Sequence, residues 1–421
     1  MIEAALSKVT GYLMNTAERF VRDAAYPVPA FRLTVDGNDI AMKVSPRLMN
    51  LDLTDNRGVE ADQLTITLSD HDGMLSIPPK GAVLRLWLGW SDTGLVDKGT
   101  YTVDETEHSG APDVLSIRAR SADLRKGLKT KRERSWSNTT LGKVIGDIAM
   151  GNNLSSTVAG TLGALPILQL DQANESDANL ITRLGEEFDA VASVKAGCLL
   201  CIPAGGGKTA SGLPLPHITL TRADGDQHRY LQADRDSYDG VRAYFYDVRS
   251  AKKQEAIAGG GENLKDLRHT YSDQQSALRA ARAEFRRLQR GSATLSYTLA
   301  MGRPDLIPEL TYTLQGVKTE IDEIIWYGGN VLHSLTESGG YTVSLELESK
   351  LPEDDVGDLA GENGDYTGII AFYREDKTGL EKKVTAGDQA RPKRLRWLYA
   401  SQKTAKIAVT RELNRLKTGH L

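Results

Sequence analysis

The sequence predicts a mainly β protein with α-helix, an α+β fold in which two β domains flank a small helical insert and a hairpin–helix unit follows. Three observations support this prediction. Short runs of alternating apolar and polar residues fill two long stretches of the chain. Between these stretches, apolar residues recur at helical spacing. A segment of 54 residues occurs twice, at 238–291 and at 366–419. The 421 residues are enough for two to four domains with buried cores.

The first 27 residues are predicted to form an amphipathic helix. Its apolar residues at helical spacing are Ile2, Leu6, Val9, Leu13 and Phe20. Such a stripe needs a partner surface, either the body of the same protein or a neighbouring subunit. The segment has no basic start and no unbroken apolar core, so it is not a signal peptide. No apolar run in the chain reaches the roughly 18 residues of a membrane span.

Residues 28–130 are predicted to form the first β domain, a small barrel or sandwich. Six or more short strands are separated by turn segments such as DGND and IPPKG. Leu64, Ile66 and Leu68 alternate with polar residues, as they do along a strand with one buried face. The run DHDG at 70–73 looks like an acid–base cluster. Because it follows a strand and ends in glycine, it is interpreted as a turn.

Residues 131–190 are predicted to form the helical insert. Two segments place their apolar residues on one helical face. These residues are Leu141, Val144, Ile145 and Ile148 in the first segment and Leu180, Ile181, Leu184 and Phe188 in the second. Ser176 is the predicted N-cap of the second helix. Glu186 and Glu187 are adjacent on that helix and point in different directions, so they are not expected to share a site.

A second β domain is predicted over residues 191–350. Cys198 and Cys201 lie in an apolar strand, where side chains three residues apart point to opposite faces and lie about 10 Å apart. That separation exceeds disulfide reach, so both are interpreted as buried apolar residues in a protein that folds under reducing conditions. The GGGKT run at 205–209 lacks the first glycine of a phosphate-binding loop, and prolines follow it instead of a helix. A flexible loop is therefore predicted.

The repeated segment is predicted to form the same hairpin–helix unit twice. The copies align without a gap at an offset of 128, and 16 positions are identical. Such repeats indicate architecture more often than chemistry. The first copy, 238–291, lies inside the second β domain, and the second copy, 366–421, follows an acidic linker at 351–365. Because no strands follow the second copy, we expect it to fold outside the barrels and to dock on its own β domain or on a neighbour.

Charge is distributed unevenly along a chain whose net charge is −4. The first copy carries +4 and the second +8, so the remaining chain carries −16. The repeat helices carry basic stripes, formed by Arg279, Arg282, Arg286 and Arg290 in the first copy and by Lys403, Lys406, Arg411, Arg415 and Lys417 in the second. The stripes are interpreted as solvated faces or as docking surfaces for an acidic protein. Single-strand binding is disfavoured, because stacking aromatic residues are almost missing from these helices.

The sequence predicts no catalytic, cofactor-binding or metal-binding residues. Its seven histidines are scattered, with no HExxH pair, and no G-x-S-x-G nucleophile elbow occurs. The two cysteines lack the second ligand pair of a zinc site. The small net charge gives no general attraction to nucleic acid. We therefore expect neither an enzyme nor a cofactor.

The segment QANESD at 172–177, with the helical run ANLITRLGEEF after it, resembles the hub motif of the phage late control protein D family. The same motif occurs in VgrG spike proteins of type VI secretion. The runs DQLTITLSDHDG and ATLSYTLAMGRPDLIPEL are also similar to this family, and the resemblance extends from about residue 28 to residue 348. It implies the central baseplate hub of a contractile phage tail. In that structure, a homotrimer with two tube-type β-barrel domains per subunit forms a pseudo-sixfold ring.

The resemblance also implies partners and a location. The expected partners are the tail tube protein, the central spike protein, other baseplate proteins and the tape measure protein. DNA is expected only to pass through the channel, whose acidic lining would repel it, and no membrane contact is expected. The second repeat copy is expected at the rim of the hub. The expected location is the virion tail baseplate, after assembly in the cytoplasm of the bacterial host.

Three other functions are weighed against a structural hub. A wall-degrading enzyme would need a carboxylate pair or a metal cluster in a domain of its own, which residues 366–421 do not offer. A nucleic-acid-binding regulator would act through the basic second copy and would bind with a steep salt dependence. A type VI hub and spike would need a long β-helical segment after the hub, where 56 residues follow the linker.

Overall fold

The computed structural model describes residues 27–121, 127–195, 197–232, 238–247, 251–260, 263–351, 367–375, 378–390 and 392–418. The predicted N-terminal helix lies outside these residues except for Pro27, and the predicted acidic linker lies outside them except for Leu351. The described chain is mainly β with few helices, as the sequence predicts.

The described residues contain 24 strands. They are β1 Pro29–Val35, β2 Asn38–Asp39, β3 Leu48–Asp55, β4 Gln63–Ser69, β5 Val83–Trp90, β6 Gly94–Ser109, β7 Val114–Ser121, β8 Lys131–Thr140, β9 Ser155–Val158, β10 Pro166–Ser176, β11 Ala190–Lys195, β12 Cys198–Pro203, β13 His217–Thr221, β14 Gly225–Gln232, β15 Gly240–Asp247, β16 Lys252–Gly259, β17 Leu264–Tyr271, β18 Ala293–Leu299, β19 Thr311–Gln315, β20 Ile325–Thr336, β21 Gly340–Ser349, β22 Gly368–Arg374, β23 Glu381–Gly387 and β24 Pro392–Tyr399.

The same residues contain seven α-helices, of which three have only four residues. They are α1 Ala41–Val44, α2 Leu141–Met150, α3 Gly160–Gly163, α4 Asp177–Phe188, α5 Gln274–Arg290, α6 Thr319–Asp322 and α7 Gln402–Thr418. A 3-10 turn, Ser45–Arg47, follows α1. The four longer helices are α2 and α4 in the insert and α5 and α7 in the repeat copies.

Thirteen strands form one continuous sheet, called here the main sheet, that unites both predicted β domains. Its order is β14-β18-β21-β20-β3-β4-β7-β6-β5-β1-β2, with β19 paired to β20 and β13 paired to β19. We call β1–β7 the first half, and β13, β14 and β18–β21 the second half. The halves are linked by antiparallel pairing of β20 with β3, from Val331↔Asp55 to Thr336↔Asn50. Alternating polarity predicts these strands but does not show which edges pair.

One hydrophobic core extends beneath both halves of the main sheet. In β4, the predicted buried residues Leu64, Ile66 and Leu68 are all buried, and their neighbours are half-exposed. The same core contains Leu53 of β3 and Trp326 of β20, one on each side of the link. Because burial of a large apolar side chain contributes about 1.5–3 kcal/mol, each half stabilises the other through these shared contacts.

The insert contains more strand than the sequence predicts. The eight predicted apolar residues of α2 and α4 are all buried in its core. A two-stranded ribbon of β8 and β10 belongs to it as well. Strands β11 and β12, which the sequence assigned to a second β domain beginning at residue 191, instead pair with each other and with β9. Their Leu199 and Cys201 are buried in the core of the insert, because this short sheet packs against the helices.

The two repeat copies contain the same elements in the same order. In the first copy, β15 pairs antiparallel with β16 and parallel with β17, and α5 packs on one face. In the second copy, β22 pairs in the same way with β23 and β24, and α7 packs on the sheet. The sequence prediction of a hairpin and a helix missed the third strand of each unit, because both strands mix charged and apolar residues on each face.

The second copy docks on the second half of the main sheet. The backbone N–H of Leu398 donates to the carbonyl of Lys350 at 3.2 Å. Phe372 and Leu398 pack against Ile325 at the start of β20. Lys350 is itself buried, and its Nζ lies 2.8 Å from Glu381 Oε1 of the second copy. These contacts join the second copy to the body of its own chain.

A histidine is buried in the core beside the link between the two halves. His333 of β20 is fully buried, and its Nδ1 lies 2.9 Å from the Tyr341 hydroxyl. The Tyr341 ring packs against Trp90 of the first half, with 5.7 Å between the centroids. Burial, together with the nearby charge of Lys98, lowers the pKa of His333 well below its ordinary value. The folded core therefore requires the neutral ring.

We expect His333 to make the folded protein less stable in mild acid. Because its pKa is lowered in the folded state, the unfolded chain takes up the proton first, near the ordinary value of about 6.5. The stability that the neutral ring contributes is complete above that pH, and it is lost as the pH falls toward the folded pKa. Urea unfolding from about pH 8 to pH 5 should show the unfolding free energies of wild type and His333→Asn converging in acid. A difference that stays constant with pH would contradict this expectation.

Candidate functional site

The QANESD segment before α4 ends in a buried carboxylate that four side chains surround. Asp177 is fully buried and accepts hydrogen bonds from Arg134, from Gln172 Nε2 at 2.8 Å and from Asn152 Nδ2 at 2.7 Å. Arg132 Nε lies 3.4 Å from the same carboxylate. Gln172 Oε1 in turn accepts from Arg134 Nε at 2.9 Å. This network fastens the β8–β10 ribbon to the start of α4.

The start of α4 explains why a carboxylate can be buried there. Ser176 is the N-cap, as predicted, and its Oγ accepts from the backbone N–H of Asn179 at 3.2 Å. Asp177 is the first helical residue, where the helix dipole favours a negative charge. Glu175 pairs with Arg183 further along the helix at 2.8 Å. The polar residues of the segment thus form a fixed corner within the insert.

The acidic end of α4 faces the basic side of α5 in the first repeat copy. Arg290 forms a bidentate ion pair with Asp189, and both side chains are largely buried. Arg287 Nη1 lies 3.1 Å from Glu186 Oε1 in a more exposed position. Arginine suits such paired contacts because its planar guanidinium matches the two oxygens of a carboxylate. The first repeat copy is therefore held to the insert by charge.

Glu187 and Arg279 complete the contact between α4 and α5. Arg279 Nη2 lies 3.5 Å from Glu187 Oε1, and the guanidinium lies over the Phe188 ring at 4.4 Å. Burial raises the pKa of Glu187, although Arg279 and Arg183 act in the opposite direction. Their adjacent positions in the sequence predict that Glu186 and Glu187 do not share a site, but both face α5. Two residues of the basic stripe of the first copy, Arg279 and Arg290, therefore form ion pairs with the insert of the same chain.

A second ionic cluster joins the insert to both halves of the main sheet. Lys195 of β11 lies 2.7 Å from Asp55 and 2.6 Å from Asp62. Although burial opposes its charge, these two carboxylates raise the pKa of Lys195. In the same loop after β3, Arg57 lies 2.8 Å from Glu309 and 3.0 Å from Glu348. The loop thereby holds the insert, the first half and the second half together.

The short motifs that resemble chemical sites have structural roles. Residues 70–73 form the predicted turn, in which the N–H of Gly73 donates to the carbonyl of Asp70 at 2.9 Å. Residues 205–209 lie in the loop between β12 and β13, and a strand follows instead of a helix. Both cysteines are free thiols on β12, and burial raises the pKa of Cys201 to about 11.

The basic stripe of the second copy is largely exposed. Lys403 and Lys406 are exposed, and Arg411 Nη2 lies 3.4 Å from Glu323 of the second half. The side chains of Arg415 and Lys417 lie outside the described atoms. Within the described ranges, no group of three or more His, Cys, Asp or Glu side chains is placed to hold a metal ion. In the same part of the chain, no helix has both the length and the apolar character needed to cross a membrane.

The amino-acid sequence matches one protein family and two of its members. Residues 48–336 match the family described as phage tail baseplate hub (GPD). The probable baseplate hub protein of Escherichia phage 186 is 44% identical, and the match covers 77% of this chain and 94% of that protein. The probable baseplate hub protein of Escherichia phage P2 is 42% identical with the same coverage of both chains. This chain belongs to the phage tail baseplate hub family.

The fold of this baseplate hub protein is also similar to that of a solved tail protein. The 43 kDa tail protein of prophage MuSo2 from Shewanella oneidensis has a TM-score of 0.57 at 14% sequence identity. That match covers 75% of this chain and 97% of the tail protein. The family match begins at the first residue of β3 and ends at the last residue of β20. It therefore contains the link between the halves, the insert and the first repeat copy, whereas the second copy lies beyond it.

We expect Asp177→Asn to destabilise this hub protein by about 1–3 kcal/mol, because it leaves the partly buried Arg132 and Arg134 without their carboxylate. The matched control is Asp171→Asn on the preceding strand β10, where the side chain is exposed and accepts only from Gln169. The control should change the free energy of unfolding by less than about 0.5 kcal/mol. Equal effects of the two variants in urea unfolding would show that the buried network does not stabilise the fold.

We expect two arginines of α5 to respond very differently to the same substitution. Arg290→Met leaves Asp189 largely buried and unpaired, which should cost about 3–5 kcal/mol of unfolding free energy. Arg282→Met removes a side chain that forms no ion pair with any described residue, so it should cost less than about 0.5 kcal/mol. Thermal and urea unfolding of both variants measure the difference. If Arg282→Met is the more damaging change, the assignment of the docking face is wrong.

Proposed function

We propose that this baseplate hub protein acts as a homotrimer that joins a sixfold tail tube to a threefold central spike. The observation that supports this is the main sheet, in which two halves of one subunit are linked edge to edge by β3 and β20. If each half is one tube-type β-barrel module, three subunits supply six modules around one axis. One side of the ring would contact the tail tube protein, and the other would contact the spike protein.

The remaining partners fit the same arrangement. Baseplate hub proteins are virion tail components, and we propose that this one assembles in the cytoplasm of the bacterial host. Other baseplate proteins would surround the ring, and the tape measure protein would meet it at the channel. The chain outside the two repeat copies carries −16, which favours an acidic channel that DNA passes without binding. The exposed basic side of the second copy would then face outward.

The proposed role is structural. The polar clusters around Asp177, Lys195 and Arg290 connect parts of one chain, and each is filled by charges of opposite sign. The relatives at 42–44% identity are phage proteins, which favours a phage tail over a type VI spike. Internal pairing of Arg279 and Arg290 removes part of the basic stripe on which a nucleic-acid-binding regulator would depend.

We expect three copies of this chain in each assembled tail, because six modules at two per chain match the symmetry of the tube. Electron microscopy of purified tails should place the protein between the tube and the spike. Quantitative mass spectrometry should give the number of hub chains per tail and the number of tube protein chains in one ring of the tube. The first number should be half of the second. A different stoichiometry, or another protein at the hub position, would contradict the proposal.

A further inference from the structure

The two halves of the main sheet contain equivalent strands in the same order. The second half runs β14-β18-β21-β20, and the first half runs β3-β4-β7-β6. On the far side of the long strand of each half, β19 pairs with β20 and β5 pairs with β6. The buried residues correspond as well, Leu64, Ile66 and Leu68 in β4 and Leu295, Tyr297 and Leu299 in β18. Each of these strands therefore has an equivalent in the other half.

The first strands of these two series, β3 and β14, correspond residue by residue. The pairing of each with its neighbour shifts by one position at the start of the strand. After that shift, Asn50 is the first paired residue of β3 and Gln227 is the first paired residue of β14. Both strands have eight residues, so their last residues, Asp55 and Gln232, correspond as well.

The long strands β6 and β20 correspond in the same way. Each has one shift in its pairing with the preceding strand of the series, β7 or β21. Ile117 of β7 and Leu345 of β21 are equivalent, because each lies opposite the middle buried residue of the strand before it. Thr106 lies opposite Ile117, and Val331 lies opposite Leu345. Thr106 of β6 is therefore the equivalent of Val331 of β20.

The two halves differ in how these edges are used. Inside the chain, β3 pairs with β20 from Val331 to Thr336, on the side of β20 that also carries β19. The equivalent segment of β6, Thr106 to Ser109, pairs with no described strand on the side that carries β5. In the same part of the chain, β14 pairs only with β18, at the edge of the main sheet. Unpaired backbone groups at such edges favour pairing with another strand.

These two open edges belong to opposite parts of one subunit. In the order of the main sheet, six strands separate β14 from β6. The chain thus carries the equivalents of both strands of its own link, unpaired and apart from each other. A second copy of the same chain is the partner that offers the missing strand at each edge.

We propose that β14 of one copy pairs antiparallel with the segment Thr106–Ser109 of β6 in the next copy. The register of the link inside the chain predicts which residues lie opposite each other. These pairs are Thr106 with Gln232, Glu107 with Leu231, His108 with Tyr230, and Ser109 with Arg229. The contact is head-to-tail, so that repeating it closes a ring. The proposal rests on the proposed function, because it names the surfaces through which the copies of the hub join.

The side chains at the two edges are complementary. Glu107 and Arg229 are exposed, and neither forms an ion pair with a described residue. In the predicted register they lie diagonally on the same face, within reach of a salt bridge. Leu231, which is 48% exposed, would be covered by β6 of the next copy. In the link inside the chain, the equivalent of Ser109 is Ser334, which also makes a polar contact across the strands, to Asp52 at 2.6 Å.

Cross-linking in purified tails tests the pairing and its register. In a full-length chain with Cys198→Ser and Cys201→Ala, the variant Glu107→Cys/Leu231→Cys places two thiols directly opposite each other, roughly 5 Å apart. A bis-thiosulfonate reagent of that reach should join neighbouring copies, and a denaturing gel should show a ladder that ends at three chains. The control Glu107→Cys/Gln227→Cys shifts one thiol by about 13 Å along the strand and should give at least tenfold less product.

A charge exchange tests the same contact without cysteine. Arg229→Glu brings a second carboxylate close to Glu107, so incorporation of the hub protein into tails should fall about fivefold. Adding Glu107→Arg in the same chain restores opposite charges and should restore incorporation. Circular dichroism of each isolated variant checks that the chain is folded.

The outcomes separate this pairing from the number of copies. No cross-link at residues 107 and 231 in tails that hold three copies would overturn the pairing and leave the trimer intact. A ladder that ends at another number would support the pairing and contradict the trimer. Equal yields from the control would overturn the register, and cross-links in Leu231→Cys alone would show β14 paired with itself. Incorporation that Glu107→Arg does not restore would also contradict the proposed contact.

Discussion

The pairing of β20 with β3 is the constraint on which the rest of this structure depends. A shift of one residue in its register would turn every side chain of β20 to the opposite face of the sheet. His333 would leave the core, and Ser334 would lose its 2.6 Å hydrogen bond to Asp52. The start of the same strand carries Ile325, on which the second repeat copy docks. One register therefore positions both halves of the main sheet and the second copy.

The repeated unit is used twice in this chain, through opposite faces. The first copy docks by its helix, through the ion pairs of α5 with the insert, and its sheet residues Arg242 and Tyr244 stay half-exposed. In the second copy, the equivalent positions are Ile370 and Phe372, which pack toward Ile325. The strand pairing around them is the same, and in both copies a glycine at the start of the first strand permits close backbone approach. Side chains thus set the docking face without changing the unit.

Local patterns in the sequence predict much of this fold, but not how its elements combine. The alternation of Leu64, Ile66 and Leu68 and the cap at Ser176 are local, so both are found as predicted. The assignment of β11 and β12 to the insert depends on contacts with β9, about 40 residues earlier, which periodicity cannot show. The network around Asp177 unites side chains from three separate segments. The QANESD resemblance marked its position, but not its arginine partners.

Charge shows the same contrast between composition and arrangement. The basic stripes of α5 and α7 look alike in sequence, yet they have different surroundings. Arg290 and Asp189 are 101 residues apart and form a buried pair, so part of the charge of the first copy is neutralised by the insert. In the second copy, Lys403 and Lys406 remain exposed. The second copy therefore keeps more of its positive charge at the surface than the first copy does, and it lies beyond the family match.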